Sequence, residues 1–138
     1  MKTIIRVVII GSFIAFLGAC KKDNKGSNKI TGRWDVVKDS TYVGVGAGNK
    51  LVVYNGQRGD YFDFRTDGKV YTKEGTVLDT LNYSVKSANQ IVISKPTIID
   101  NYIPVLSNLS LTAHTASIIN PKVLTPGGEF GRSIYLAR

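Results

Sequence analysis

Three polar residues in the C-terminal third of the chain resemble a catalytic set more than any other group in the sequence. Ser110, Thr112 and His114 alternate with apolar residues, and His114 is the only histidine. On a strand, neighbouring members of such a row stand about 7 Å apart. A nucleophile and its base must lie within hydrogen-bond distance of each other. We therefore predict a solvated strand face here, no catalytic residues and no enzymatic activity.

The sequence also fits the known patterns of metal sites and phosphate-binding loops poorly. The densest carboxylates are Asp60, Asp63 and Asp67, whose spacing does not fit a calcium loop. With one histidine and one cysteine in the chain, a zinc site would depend on carboxylates, and these are scattered. The glycine-rich residues 44–48 lack the Lys-Ser/Thr that closes a phosphate-binding loop. We interpret that run as a mobile loop near a binding site, and we expect neither a metal ion nor a cofactor.

The only cysteine, Cys20, follows an N-terminal pattern of its own. Residues 1–6 carry two positive charges, and residues 7–17 are almost wholly apolar. This apolar stretch is short for a spanning helix, which needs about 20 residues, so a signal peptide is favoured over an uncleaved anchor. Leu17-Gly18-Ala19-Cys20 resembles the lipobox of bacterial lipoproteins. The resemblance implies cleavage after Ala19, a lipid thioether on Cys20 and an acyl chain such as palmitate on the new amine.

Residues 20–29 follow as a lipidated cysteine and a polar, lysine-rich tether. Lys21 stands where lipoproteins retained in the inner membrane typically have Asp, so the resemblance implies the outer membrane and leaves its leaflet open. The predicted organisation is thus a signal peptide (1–19), the tether (20–29) and one domain (30–138).

The net charge of +8 is concentrated near the N-terminus. The signal peptide accounts for +2 and the tether for +3, which leaves +3 for residues 30–138. Those charges are dispersed and form no basic stripe with interleaved aromatics. Nucleic-acid binding is therefore not expected.

Alternation of apolar and polar residues with a period of two dominates residues 30–138, and helical periodicity is absent. Asp67-Gly68 between β-rich runs indicates a hairpin. The pattern predicts about eight strands in an antiparallel up-and-down barrel or a sandwich. The predicted strands are 30–36, 50–54, 61–64, 69–73, 77–85, 91–94, 102–106, 109–115 and 130–137, with a turn at Ser107-Asn108 and a long loop at 120–128.

Gly32-Arg33-Trp34 on the first predicted strand is similar to the Gly-x-Trp of lipocalins, and Arg138 ends the last one. The resemblance implies a small lipocalin-like barrel whose base is closed by Gly32, Trp34 and Arg138, the arginine stacking on the tryptophan. Arg132 is the second candidate for that arginine. The Thr-Asp-Tyr motif of typical lipocalins is absent, and so is the helix that follows their barrel.

A barrel of this size either fills its interior or encloses one small ligand. The leading hypothesis is a membrane-anchored, monomeric protein that binds a small apolar or amphipathic ligand. The alternative is a solid barrel that docks another envelope protein. The candidate ligand-binding residues of the interior are Phe62, Phe64, Leu81, Tyr83, Leu111 and Ile134. Asp39-Ser40-Thr41 and Asp79-Thr80-Leu81 also resemble short O-glycosylation sites.

Overall fold

The computed structural model describes residues 29–94 and 105–138, which form eleven β-strands and one short 3-10 helix at Gly46–Gly48. The strands are β1 (Gly32–Val43), β2 (Lys50–Asn55), β3 (Tyr61–Phe64), β4 (Lys69–Glu74), β5 (Val77–Ser87), β6 (Gln90–Ser94), β7 (Val105–Leu111), β8 (Thr115–Ile119), β9 (Val123–Thr125), β10 (Gly128–Phe130) and β11 (Arg132–Ala137).

Eight of these strands close an antiparallel barrel, which confirms the predicted fold. Their order is β1, β3, β4, β5, β6, β7, β8 and β11, and β11 pairs with β1 to complete the circle. The pairing of β11 with β1 removes the two free edges that an open sheet of these eight strands would expose. The hairpin predicted at Asp67-Gly68 joins β3 to β4. Gly68 has φ 82°, a conformation that glycine adopts without steric cost.

A β-bulge in β1 changes which of its residues face the barrel interior. Trp34 and Val36 are buried, and the register with β11 shifts between Val36 and Lys38. Because side chains of a strand alternate between its two faces, one extra residue moves the interior set from even to odd positions. Asp39 is therefore buried, and Val37 is left 53% exposed.

The other edge of β1 is shared by two strands with a gap between them. β3 pairs with residues 32–35 of β1, and β2 pairs with residues 38–43. Gly56 follows β2, and its N–H donates to the Val37 carbonyl at 3.0 Å. A Cβ at Gly56 would lie 1.8 Å from the Val36 carbonyl oxygen, so only glycine fits. β4 pairs with β3 and not with β2, so the barrel wall opens between β2 and the end of β4.

Asp60 organises the segment that crosses this gap. Its carboxylate accepts hydrogen bonds from the Gln57 N–H (2.8 Å), the Gly75 N–H (2.9 Å) and the Tyr54 hydroxyl (2.5 Å). The hydrogen bond from Tyr54 lowers the pKa of Asp60, and the same bond raises the pKa of Tyr54 to about 12. Asp60 thereby connects β2 to the turn after β4.

The barrel is filled by side chains at the end where β1 begins. Most members of this core are aliphatic, and three of its aromatic rings are fully buried. Phe64 also meets the ring of Tyr83 edge to face, with centroids 5.1 Å apart. The buried apolar residues are Ile30, Trp34, Val36, Phe62, Phe64, Val70, Leu81, Ile91, Leu109, Ala116, Ile118, Ile134 and Leu136.

The predicted turn at Ser107-Asn108 is wrong, because both residues lie inside β7. Ser107 is paired with Ile91 and is buried, and its hydroxyl donates to the Asn120 side chain at 2.6 Å. A cross-strand polar partner has overridden the turn preference of Ser and Asn. The chain reverses after Leu111 instead.

The C-terminal part of the chain also differs from the prediction. The predicted loop 120–128 contains β9 and the start of β10, which pair as a separate two-stranded sheet. The predicted strand 130–137 is interrupted between Phe130 and Arg132. The strand pattern alone did not separate these two sheets, because Phe130 continues the same alternation.

Residues 29–94 and 105–138 contain no helix long and apolar enough to cross a bilayer. The predicted signal peptide, Cys20 and nearly all of the tether lie outside the described residues, as does Tyr102 of a predicted strand.

Candidate functional site

Trp34 and Arg138 lie together at one end of the barrel, the geometry that the lipocalin resemblance implies. Trp34 is fully buried, and its Nε1–H donates to the Ile30 carbonyl at 2.6 Å. The Arg138 Cζ lies 3.9 Å from the centroid of the Trp34 ring. Gly32 lies beside this arginine: a Cβ added there would be 3.7 Å from Arg138 Nη1. Trp34 and Arg138 thus close this end of the barrel.

The six predicted ligand-binding residues all lie in the core or pack against it. Four are buried members of the core, while Tyr83 and Leu111 are partly buried and pack against it. Phe62, Leu81 and Ile134 line a cavity of only about 70 Å³, enough for very few atoms. These side chains therefore mainly fill the barrel.

A much larger groove of about 1030 Å³ opens at the opposite end of the barrel. It follows the gap between β2 and β4 and is bounded on another side by the β9–β10 hairpin. Its volume is in the range of small-molecule sites. The described residues that line it are Asp39, Thr41, Tyr42, Val52, Tyr54, Glu74, Val77, Val105, Asn120, Pro121, Val123, Phe130, Gly131 and Arg132.

The polar floor of this groove consists of Asp39, Glu74 and Arg132. The Nε–H of Arg132 donates to Asp39 Oδ2 at 2.8 Å, and Arg132 Nη2 also donates to that oxygen. The same Nη2 reaches Glu74 Oε2 at 3.1 Å. Arg132, the second candidate for the barrel base, therefore lies at the other end of β11 and joins two carboxylates.

Two oxygens of this floor cluster are buried without a hydrogen-bond partner: Asp39 Oδ1 and Glu74 Oε1. Burial and the neighbouring charge of Asp39 raise the pKa of Glu74 to about 7, against the opposing charge of Arg132. Glu74 therefore gains and loses its proton near neutral pH. Such groups are concentrated at functional sites.

The hairpin wall of the groove is tied to the loop that follows β1. The Asn49 side chain donates to the Glu129 carbonyl at 2.9 Å and accepts from the Glu129 N–H at 3.0 Å. The Gly46 N–H donates to the Gly127 carbonyl at 2.6 Å. The glycine-rich residues 44–48 thus lie at the mouth of the barrel, where hydrogen bonds join them to the hairpin.

The remaining sequence candidates do not assemble into a second site. His114 lies in the turn between β7 and β8, outside the strand that carries Ser110. Asp63 pairs with Arg65 at 2.9 Å, and Asp67 accepts from a backbone N–H within its own turn. In the described parts of the chain, no three potential metal ligands come together.

Both candidate glycosylation triplets lie on barrel strands. Asp39-Ser40-Thr41 is within β1, where Asp39 is engaged by Arg132, and Asp79-Thr80-Leu81 is within β5.

The residues of this candidate site that sequence reasoning did not bring together are Asp39, Glu74 and Arg132. Asp39 and Arg132 are 93 positions apart, and Arg132 and Glu74 are 58 apart. In the sequence these three residues share one feature: each is a charged residue on or shortly after a segment whose alternation predicts a strand. The chain matches no protein-family model, no curated protein and no solved structure.

Proposed function

We propose that this chain is a lipid-anchored protein of the outer membrane whose barrel holds a small apolar or amphipathic molecule in the groove at its open end. The observation that supports ligand binding most directly is the groove of about 1030 Å³ with valine, proline and aromatic walls. Apolar walls with a few convergent polar groups are typical of small-molecule sites.

The position of the groove supports the same proposal. The base of the barrel is occupied by Trp34 and Arg138, so a ligand enters from the other end. Residues on β1, β2, β4, β5, β7 and β11 all reach the groove, and a barrel holds their backbones in place. A preformed site of this kind avoids part of the cost of ordering side chains on binding.

Two adjacent residues of β2 provide a matched test. Val52 lines the groove and Val53 does not, although their exposed fractions are similar at 40% and 45%. Val52→Asp places a charge against a bound apolar chain, whereas Val53→Asp places the same charge on the outer face of the strand.

Native mass spectrometry of each protein purified from its host reads out the result. We expect a retained small-molecule mass on the wild type and on Val53→Asp, and its loss from Val52→Asp. A retained mass on Val52→Asp that equals the wild-type amount contradicts binding in the groove.

The alternative function, docking of another envelope protein, is favoured by the outer face of β2. Leu51 and Val53 are 51% and 45% exposed, and β2 has β1 as its single strand neighbour among the described residues. An exposed apolar edge strand is a typical place for another chain to add a strand. Loss of a co-purifying protein from Val53→Asp, with no small molecule on the wild type, supports this function instead.

A further inference from the structure

We infer that the floor of the groove takes the positively charged amine end of an amphipathic molecule, held by the carboxylates of Asp39 and Glu74. This inference rests on the proposed function and adds the chemical class of the ligand. It is carried by the burial and hydrogen bonding of the three charged floor residues.

The net charge of the floor favours a positively charged ligand group over a negatively charged one. Among the residues that the structure describes, the charged ones that line the groove are Asp39, Glu74 and Arg132, which sum to −1 when both carboxylates are ionised. Arg132 already donates to both carboxylates, so its charge is balanced within the floor cluster. A ligand carboxylate or phosphate would meet two carboxylates whose arginine is engaged, and like charges repel strongly in a site of low dielectric.

Two buried carboxylate oxygens of the floor, which have no hydrogen-bond donor, also favour a ligand group that donates. The Asp39 side chain is only 7% exposed, and its Oδ1 accepts no hydrogen bond. Glu74 Oε1 is in the same state, and the two carboxylates lie near enough to share a hydrogen bond once one of them is protonated. Buried acceptors without donors are costly, and an ammonium group brings three donors together with a positive charge.

A proton on Glu74 can serve the same purpose as the ammonium group of a ligand. Two ionised carboxylates are both acceptors and cannot join, but a protonated Glu74 can donate to Asp39. The proton and the ligand's ammonium group therefore compete for one place. Binding of an amine requires Glu74 to lose its proton, which makes the affinity depend on pH.

The groups that face Glu74 come from every neighbouring element. Burial raises the pKa of Glu74 most, Asp39 on β1 and Asp60 before β3 raise it further, and Arg132 on β11 lowers it, so that it lies at about 7. On β2, Tyr54 remains a neutral phenol, because its pKa is about 12. At pH 8 Glu74 is mostly ionised, and at pH 6 it is mostly protonated.

Three ten-carbon probes separate the possible ligand classes: decylamine, decanol and decanoate, each below its micelle concentration. Their dissociation constants are measured by calorimetry at pH 6 and pH 8 on the full chain carrying Cys20→Ser, which has no acyl chain of its own to compete. At pH 8 we expect decylamine to bind at least about tenfold more tightly than decanoate, since one tenfold step is 1.4 kcal/mol.

The pH dependence gives a second readout. Between pH 8 and pH 6 the ionised fraction of a group with a pKa of about 7 falls about tenfold. We therefore expect the affinity for decylamine to fall about tenfold and that for decanol to fall little. Glu74→Gln, which has the shape of the protonated residue, should bind decylamine equally at both pH values. Glu129→Gln is the matched control, because Glu129 pairs with Lys122 and does not line the groove.

Each outcome bears on one of the two proposals. Decanoate binding as tightly as decylamine, or a wild-type affinity for decylamine that is independent of pH, overturns the amine inference while leaving an apolar ligand possible. If none of the three probes binds, the ligand-binding function fails and the inference fails with it. A melting curve for Glu74→Gln that matches the wild type in cooperativity shows that the variant is folded.

Discussion

The guanidinium of Arg138 lies over the indole ring of Trp34, with Cζ 3.9 Å from the ring centroid, and joins the last strand of the barrel to the first. The two residues close the base from opposite ends of the chain. Trp34 is fully buried, while Arg138 covers it from the solvent side and also donates through Nε to the Ala113 carbonyl at 3.2 Å. A cation over an aromatic face adds electrostatic attraction to this packing.

Truncation of either member of this pair should destabilise the barrel. Trp34→Ala should lower the free energy of unfolding by about 3–5 kcal/mol, as a large core truncation. Arg138→Ala should lower it by about 1–2 kcal/mol through the lost cation–π contact and lost packing of its stem. Denaturant titration of both variants and the double variant measures the coupling. Additive losses would mean that the two side chains do not stabilise each other.

Gly56→Ala should destabilise the domain by about 1–3 kcal/mol, because the new methyl group needs space that the backbone of β1 occupies. The added Cβ would lie 1.8 Å from the Val36 carbonyl oxygen. Gly48→Ala is the matched control: a Cβ there meets no atom within 4 Å. Thermal denaturation should leave the control near the wild type. Equal melting temperatures for the two variants would contradict the close approach of Gly56 to the bulge.

Asp60→Asn should lower the melting temperature at pH 7. The carboxylate accepts hydrogen bonds from two backbone N–H groups and from the Tyr54 hydroxyl. The NH2 group of an asparagine is itself a donor, so it cannot accept all three of these hydrogen bonds. The folded state lowers the pKa of Asp60, so its stabilisation is present above the unfolded pKa and is lost as the pH falls through the folded value. Wild type and variant should therefore converge at acid pH.

Asp63→Asn serves as the control for this experiment, because Asp63 pairs with an Arg65 side chain that is 60% exposed. Such surface pairs contribute little. If Asp60→Asn has the same melting temperature as Asp63→Asn, the segment that crosses the gap does not depend on the Asp60 carboxylate.

Glu74→Gln should change how stability depends on pH. Burial raises the pKa of Glu74 from 4.5 to about 7, so between these values the folded state holds a proton that the unfolded state has lost. The wild type should therefore lose stability as the pH rises through that window, by about 1–2 kcal/mol once solvent screening is allowed for. Denaturant titrations at pH 5 and pH 8 should show a smaller loss for the variant. An equal loss in both proteins would place the titrating group elsewhere.

Cys20→Ser should move the protein from the membrane fraction to soluble fractions of its host, because acyl chains supply most of the affinity of a lipidated protein for a bilayer. Ser27→Ala in the tether is the control and should stay with the membrane. Fractionation followed by a carbonate wash measures both. Retention of the Cys20→Ser protein on washed membranes would contradict anchoring by lipid at this cysteine.

Local patterns were sufficient where one residue type decides one conformation. The alternation of β1 before its bulge and the positive φ of Gly68 are properties of a few adjacent residues, and both were readable in the sequence. The same reasoning failed at Ser107 and Asn108. Turn preference there competes with pairing to β6 and β8, and those partners are distant in sequence.

The amino-acid sequence by itself thus determined the all-β class, because side-chain alternation and turn glycines are local signals. The strand pattern left a barrel and a sandwich open, and the expectation of a barrel with Trp34 and Arg138 at its base came from the resemblance to lipocalins. Only the tertiary structure decided where the groove lies. The bulge after Val36 shifts the strand by one residue and thereby turns Asp39 inward. Barrel closure then brings Asp39 on β1 together with Arg132 on β11 and Glu74 on β4. No local pattern encodes these contacts, since they arise from register and closure across the whole sheet.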